Sequence, residues 1–190
     1  MTRAWKRHLE ITKDYPPSPL LIQALPFVER REKAIDIGAG GLKDTRFLLE
    51  HGFDVTVVDS EEFVKELGDA ISSRKLHISI SPLEKFAFPK DTFDLATGMF
   101  SLPFIRPQSF TAVFTQIKSS LRKGGIFCGQ LFGPKDAFFG DQNMTFHTKA
   151  EAESLLSDLE VLVFNEEEKD SKTASGTLKH WHIFHFIVRK

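Results

Sequence analysis

The chain has 190 residues, 41% of them hydrophobic and 27% charged, and a formal net charge of −1. That length suits one globular domain with a sizeable core, and near-neutrality excludes a general electrostatic hold on nucleic acid or acidic membranes. The single cysteine, Cys128, excludes an intrachain disulfide framework, no apolar run approaches the roughly 20 residues of a membrane span, and the N-terminus has no apolar signal segment, so a soluble cytoplasmic protein is expected.

Arg3, Lys6 and Arg7 crowd the first residues and read as a solvated end. Ser18 followed by Pro19 opens a helix with Leu20, Leu21, Ala24, Leu25 and Val28 on one face. Lys33–Ile37 is the first strand, and it runs into Gly38-Ala39-Gly40-Gly41. A helix over 44–51, closed by Gly52, follows. A second strand over 53–58 ends at Asp59. The next helix runs from near Ser60 to 72, with Glu61 and Glu62 in its first turn, where acids complement the helix dipole. Leu76–Ile80 is a short third strand, and Pro82 and Pro89 pin the loop over 81–89.

A fourth strand covers 93–99, a helix 109–122 ends at Gly124-Gly125, and a fifth strand covers 126–132. The segment 133–147, around Ala137-Phe138-Phe139, is expected to be a lid or substrate loop. Thr148 and Glu151 form a capping box that opens a short helix to about 157. Strands over 160–165 and 180–189, joined by a polar hairpin connection, complete the chain. The alternation predicts a doubly wound, Rossmann-like α/β three-layer sandwich. Its seven-stranded sheet is mostly parallel, with an antiparallel C-terminal strand. All 190 residues are read as one domain, with 1–17 as a segment capping the ligand site.

The chemistry concentrates in a strand–glycine loop–helix–strand–acid unit. Gly38 and Gly40 let the backbone turn sharply and approach a ligand where a side chain would collide. Asp36, at the end of the first strand, can accept hydrogen bonds from a ligand ammonium or from backbone N–H groups of the turn. Asp59 lies 23 positions further on. A carboxylate there is a two-oxygen acceptor suited to a pair of ribose hydroxyls, or to the N-terminus of the following helix.

Residues 34–40 (Ala-Ile-Asp-Ile-Gly-Ala-Gly) and Val57-Val58-Asp59 resemble the first two motifs of class I S-adenosylmethionine-dependent methyltransferases. Residues 88–95 (Phe-Pro-Lys-Asp-Thr-Phe-Asp-Leu) resemble that family's run into its fourth strand, and 117–125 its helix and turn before the fifth. The resemblance extends from about Tyr15 to the C-terminus. It is strongest to small single-domain enzymes of the tellurite-resistance type that act on small molecules. The ending 179–185 (Lys-His-Trp-His-Ile-Phe-His) also resembles a bacterial subgroup with no assigned substrate.

The resemblance implies S-adenosyl-L-methionine as cofactor. By position, Gly38, Ala39 and Gly40 would line its methionine part, Asp59 would hold the ribose, and Ser60 would sit beside the adenine. Pro82, Leu83 and Glu84 would flank the adenine edge, Met99, Phe100 and Ser101 would lie beside the sulfonium, and Tyr15 would close over the cofactor. Two departures stand out: the family's third glycine falls at Leu42, and its third-motif acid falls near Ser81-Pro82.

Methyl transfer from a sulfonium is an in-line displacement with a good leaving group, so alignment and exclusion of water do most of the work. A general base is needed only when the nucleophile keeps its proton at neutral pH. Histidine is then the candidate type, at His147, His180 or His182; edge-strand histidines are the plainer reading of the last two. No metal is expected, because His180 and His182 lack a visible third ligand. Phe104 and Phe132, among 19 phenylalanines, are candidates for an apolar substrate wall, although core packing explains them equally well. Cys128 reads as a core residue. The partner expected is a small-molecule acceptor, with no nucleic acid, no membrane, and a monomeric or homodimeric state. The competing readings are a non-catalytic cofactor-binding module and an NAD(P)-dependent oxidoreductase on a similar sheet.

Overall fold

A computed structural model describes residues 3–190 and the side chains from Lys6 onward. The first two residues of the 1–17 segment lie outside the described residues, as does the side chain of Arg3.

Seven strands form one sheet: β1 (Lys33–Ile37), β2 (Asp54–Asp59), β3 (Leu76–Ile80), β4 (Phe93–Gly98), β5 (Leu121–Phe132), β6 (Glu160–Lys172) and β7 (Leu178–Arg189). Their order is β3-β2-β1-β4-β5-β7-β6. The first five are parallel to one another, whereas β7 runs antiparallel to both β5 and β6. Chain order reverses between β1 and β4, and the carboxyl ends of strands at such a switch point open a crevice for ligand.

The helices are α1 (Arg3–Thr12), α2 (Pro19–Ala24), α3 (Lys43–Glu50), α4 (Glu62–Asp69), α5 (Pro107–Ser120) and α6 (Lys149–Leu156). Central strands covered on both faces are mostly apolar, and all six residues of β4 are buried, Asp94 and Thr97 among them. Phenylalanines pack both sides of the sheet and are densest on one. Phe110, Phe114, Phe127 and Phe186 form a run with successive centroids 5.5, 5.6 and 5.0 Å apart. Cys128 is fully buried on the other side, and burial pushes its thiol pKa up, which leaves it an inert core residue.

Four differences from the sequence expectation have physical causes. First, 3–12 is helical and packs down: Leu9 is buried beside Leu42 and Leu48, Lys6 Nζ lies 4.6 Å from the Phe63 ring centroid, and Arg46 Nη1 donates to Lys13 O at 2.8 Å. Second, Ser18 does not cap α2 with its side chain. It donates instead to Asp44, from its N–H at 2.6 Å and its hydroxyl at 2.7 Å, and so ties α2 to α3. Third, Gly124-Gly125 is absorbed into β5 as a register irregularity against β4. Fourth, the polar segment after Asn165 continues as strand.

That fourth difference follows from pairing across the hairpin. His180 and Asp170 stand opposite each other at 2.8 Å, His182 bonds Glu166 at 3.0 Å, and the turn closes through Thr173 N–H to Thr177 O. Cross-strand charged pairs keep a segment of weak β-propensity in the ladder.

Candidate functional site

The carboxyl ends of β1, β2 and β4 open into a cleft of about 260 Å³. Its walls are Asp36 and 38–41 after β1, Asp59 and Ser60 after β2, Pro82, Leu83 and Glu84 after β3, and Met99, Phe100, Ser101, Phe104 and Ile105 after β4. Helix α1 adds His8, Leu9 and Thr12. Every residue predicted to hold the cofactor lines this cleft except Tyr15. Tyr15 lies in a separate groove with Asp14, Pro17 and Arg46.

The glycine turn is built by close approach. Gly38 has φ +66°, and a Cβ there would lie 2.3 Å from Ser101 Cβ, so only glycine fits against the turn after β4. Ser101 Oγ in turn donates to Ile37 O at 2.5 Å, which locks the two loops together. Leu42, at the family's third glycine position, takes the left-handed conformation itself with φ +60°, and burial of its side chain offsets the strain. Gly41 holds negative φ but is pressed against α1, where a Cβ would lie 2.6 Å from Lys13 N.

Asp59 Oδ2 accepts from Gly40 N–H at 2.9 Å and Oδ1 from Glu61 N–H at 3.0 Å. It therefore serves the helix start and the glycine turn together, and each oxygen keeps acceptor capacity toward the cleft. Burial pushes its carboxyl pKa up, against the lowering effect of these backbone N–H groups. Asp36 is 2% exposed. Burial, and then the neighbouring Asp44 carboxylate, push its pKa up to about 7, partly offset by the Thr45 hydroxyl donating at 2.6 Å. A cationic group brought beside Asp36 would relieve that cost.

These residues fit an S-adenosylmethionine-sized group: a carboxylate facing an ammonium, a two-oxygen acceptor for a diol, and exposed apolar Phe100 and Phe104 beside them. Among the described residues, no group of three His, Cys, Asp or Glu could hold a metal ion.

Beyond Phe100 a second cavity of about 810 Å³ opens between α2 and the β6–β7 hairpin. Gln130, Asn165, Glu167, Trp181, Ile183 and His185 are among its lining residues. None of these was singled out as a site residue from the sequence. One signal was available: Gln130 is the only polar side chain in the apolar run 126–132.

The histidines singled out from the sequence lie elsewhere. His147 packs 4.6 Å from the Phe110 ring, its Nδ1 without a partner. His180 sits on the hairpin between Asp170 and Glu168, and His182 is buried between Lys135 N–H and Glu166. Strand alternation puts 180 and 182 on the face opposite Trp181, Ile183 and His185. Of the two substrate-wall candidates, Phe104 lines the first cleft, whereas Phe132 is 1% exposed and packs with Met144 and Ile183.

Residues 34–125, just under half of the chain, match the family model described as a methyltransferase domain. A search of curated proteins returns no match. Among solved structures, TehB from Haemophilus influenzae superposes with a TM-score of 0.76 at 15% identity, covering 90% of this chain and 61% of that one. A 1,6-didemethyltoxoflavin-N1-methyltransferase from Burkholderia thailandensis, with S-adenosylhomocysteine bound, gives 0.68 at 20% identity, covering 99% and 81%. A SAM-dependent methyltransferase from Methanosarcina mazei gives 0.70 at 18%, covering 93% and 99%. The chain thus spans about three-fifths of the length of TehB.

Residues 34–125 thus match a methyltransferase domain, and the seven-stranded sheet has the fold of solved S-adenosylmethionine-dependent methyltransferases. The fold of TehB is shared over most of this chain.

Proposed function

We propose that this chain transfers the methyl group of S-adenosylmethionine to a small-molecule acceptor. The observation that carries the reading is the convergence of Asp36, Gly38, Gly40 and Asp59 on one cleft, with Phe100 and Phe104 at its mouth. When bound, the cofactor supplies a methyl group on a positively charged sulfur, which leaves as a neutral sulfide.

The chain's own residues bind and orient. Asp36 would take the ammonium, Asp59 the ribose diol, and Pro82, Leu83 and Glu84 would flank the adenine. The Met99-Phe100-Ser101 turn would lie beside the sulfonium, where aromatic faces favour a cation. Helix α1 narrows the cleft and excludes water, the capping role proposed for the N-terminal segment. No acid or base is required for an acceptor that arrives as an anion. The second cavity, which shares Phe100 with the cofactor cleft, is the place for the acceptor. A small-molecule acceptor is supported by the Burkholderia neighbour, which holds 1,6-didemethyltoxoflavin. No described helix is long and apolar enough to cross a membrane.

Calorimetric titration with S-adenosylmethionine, S-adenosylhomocysteine and NAD tests the reading. Micromolar binding of the first two, without NAD, is the expected result. Binding of NAD alone would favour an oxidoreductase, and binding of none would overturn the proposal.

A further inference from the structure

Phe100 is the hinge between the two cavities, and its backbone is unusual. It lines both, and it adopts φ +54°, a region that aromatic residues rarely occupy. One side chain holds it there: its N–H donates to Gln130 Oε1 at 3.1 Å. Gln130 is itself 5% exposed, an amide among apolar β5 residues.

The polarity of the network follows from that contact. A backbone N–H can only donate, so the Gln130 atom facing it is the carbonyl oxygen. The amide nitrogen then faces His185 Nδ1, 3.1 Å away. An amide NH2 can only donate, so Nδ1 carries the lone pair and the ring is the neutral Nε2–H tautomer. Nε2–H donates onward to Glu167 Oε2 at 3.2 Å, and Lys169 holds the other oxygen of Glu167 at 2.8 Å. A second proton, on Nδ1, would point at the amide NH2. Turning the amide over relieves that contact but sets NH2 against the Phe100 N–H. Both bonds of Gln130 cannot survive with His185 charged.

We propose that Gln130 is a positioning residue of the methyl-transfer site, which holds the Phe100 turn between cofactor and acceptor only while His185 is neutral. This rests on the methyltransferase reading above. The charged groups facing His185 are Glu167 and Lys169, both on β6, whose Glu166 and Lys172 also line the cavity; β5 presents Gln130, and Ser18 with Pro19, Leu20 and Gln23 of α2 face the same cavity, none of them charged. Burial outweighs Glu167 and keeps the ring pKa below its usual value, so the neutral form prevails at physiological pH. Loss of the network comes as pH falls through that depressed pKa.

The experiment is nitrogen-15 NMR on the whole chain, with S-adenosylhomocysteine affinity measured on the same samples by calorimetry. His185 should show the Nε2–H tautomer above pH 7, and the Phe100 amide signal should shift with the His185 midpoint. In His185→Phe that shift should vanish. In Gln130→Glu a carboxylate can accept from the Phe100 N–H and from a protonated Nδ1 together, so the His185 midpoint should rise and the Phe100 amide should hold steady on acidification. Gln130→Leu should lower S-adenosylhomocysteine affinity about tenfold and speed Phe100 amide exchange by at least as much. If Gln130→Leu does not fold, the other two variants carry the test.

An Nδ1–H tautomer at neutral pH would overturn the proposal. So would a Phe100 shift that persists in His185→Phe, since it would then follow another titrating group of the cleft. Failure of the wild type to bind S-adenosylhomocysteine would sink the methyltransferase reading, while the coupling of Phe100 to His185 would still be decided by the amide titration.

Discussion

Asp36 and Asp59 are both buried acids in one cleft, yet they do different work. Asp59 has backbone donors on both oxygens. Asp36 has one hydroxyl partner and a second carboxylate nearby, so ionising it costs free energy. Its folded pKa of about 7 lies above the ordinary carboxyl value of 3.8, so between those values the folded state keeps a proton the unfolded state has lost. Stability from this group is therefore present at low pH and declines as pH rises toward about 7. Asp36→Asn should raise the stability of the ligand-free protein by roughly 2–4 kcal/mol at pH 8 and by little at pH 4, read by thermal melts at the two pH values. The same variant should abolish the tightening of cofactor binding that ionised Asp36 gives at high pH. Asp59→Ala should weaken S-adenosylhomocysteine binding by about 1–3 kcal/mol, through loss of charge-assisted hydrogen bonds. A folded Asp59→Ala variant with unchanged affinity would remove Asp59 from the site.

At the scale of elements, the sequence was most legible where backbone chemistry is local. β1 and β3 fall where apolar runs end in turn residues, and the Thr148–Glu151 capping box opens α6 as read. The cleft-lining turns were legible because glycine and aspartate mark them. What escaped was set by long-range contact. Nothing within 3–12 announces that Leu9 will be buried against α3, and nothing local keeps the Glu- and Lys-rich end of β6 extended; its partners lie on β7. Gln130 and His185 met only through the antiparallel register of β5 with β7, so neither carried a local motif. The contact of α1 with the glycine loop is itself testable. In Gly41→Ala the new Cβ would meet Lys13 N and Thr12 C, both backbone atoms that cannot rotate away. The variant should lose about 1–3 kcal/mol of stability and should bind S-adenosylhomocysteine more weakly. Hydrogen exchange should rise in α1 and not in β1. Equal protection in α1 would show that the helix accommodates the methyl group in place.

At the scale of the whole molecule, the far end of the sheet is closed by a buried ion pair. Lys179 Nζ on β7 donates to Asp136 Oδ2 at 2.6 Å, with both side chains almost wholly buried. The ammonium also sits 3.5 Å from the Trp181 ring centroid and 4.2 Å from that of Phe138. Asp136 accepts the Phe138 and His182 N–H groups as well, so the segment 133–147 is tied to β7 along its first half. Thr145 fastens the second half, donating from N–H to Pro103 O and from its hydroxyl to Ile105 O. No residue of 133–147 lines the cofactor cleft or the second cavity, so the segment behaves as part of the sheet's end wall and not as a free lid. Burial lowers the Lys179 pKa, which measures the cost of keeping a charge there. That cost is offset only while both partners are present. Lys179→Met, whose thioether suits the aromatic surroundings, leaves the Asp136 charge buried and should cost about 3–5 kcal/mol. Adding Asp136→Asn removes the uncompensated charge and keeps one oxygen to accept the Phe138 N–H at the cost of the longer bond from the His182 N–H, so the double variant should be more stable than Lys179→Met alone. Urea melts of the four forms give the coupling directly. Additive losses would mean that the pair adds nothing beyond its separate contacts, and that packing of Phe132, Phe138 and Trp181 holds the end wall by itself.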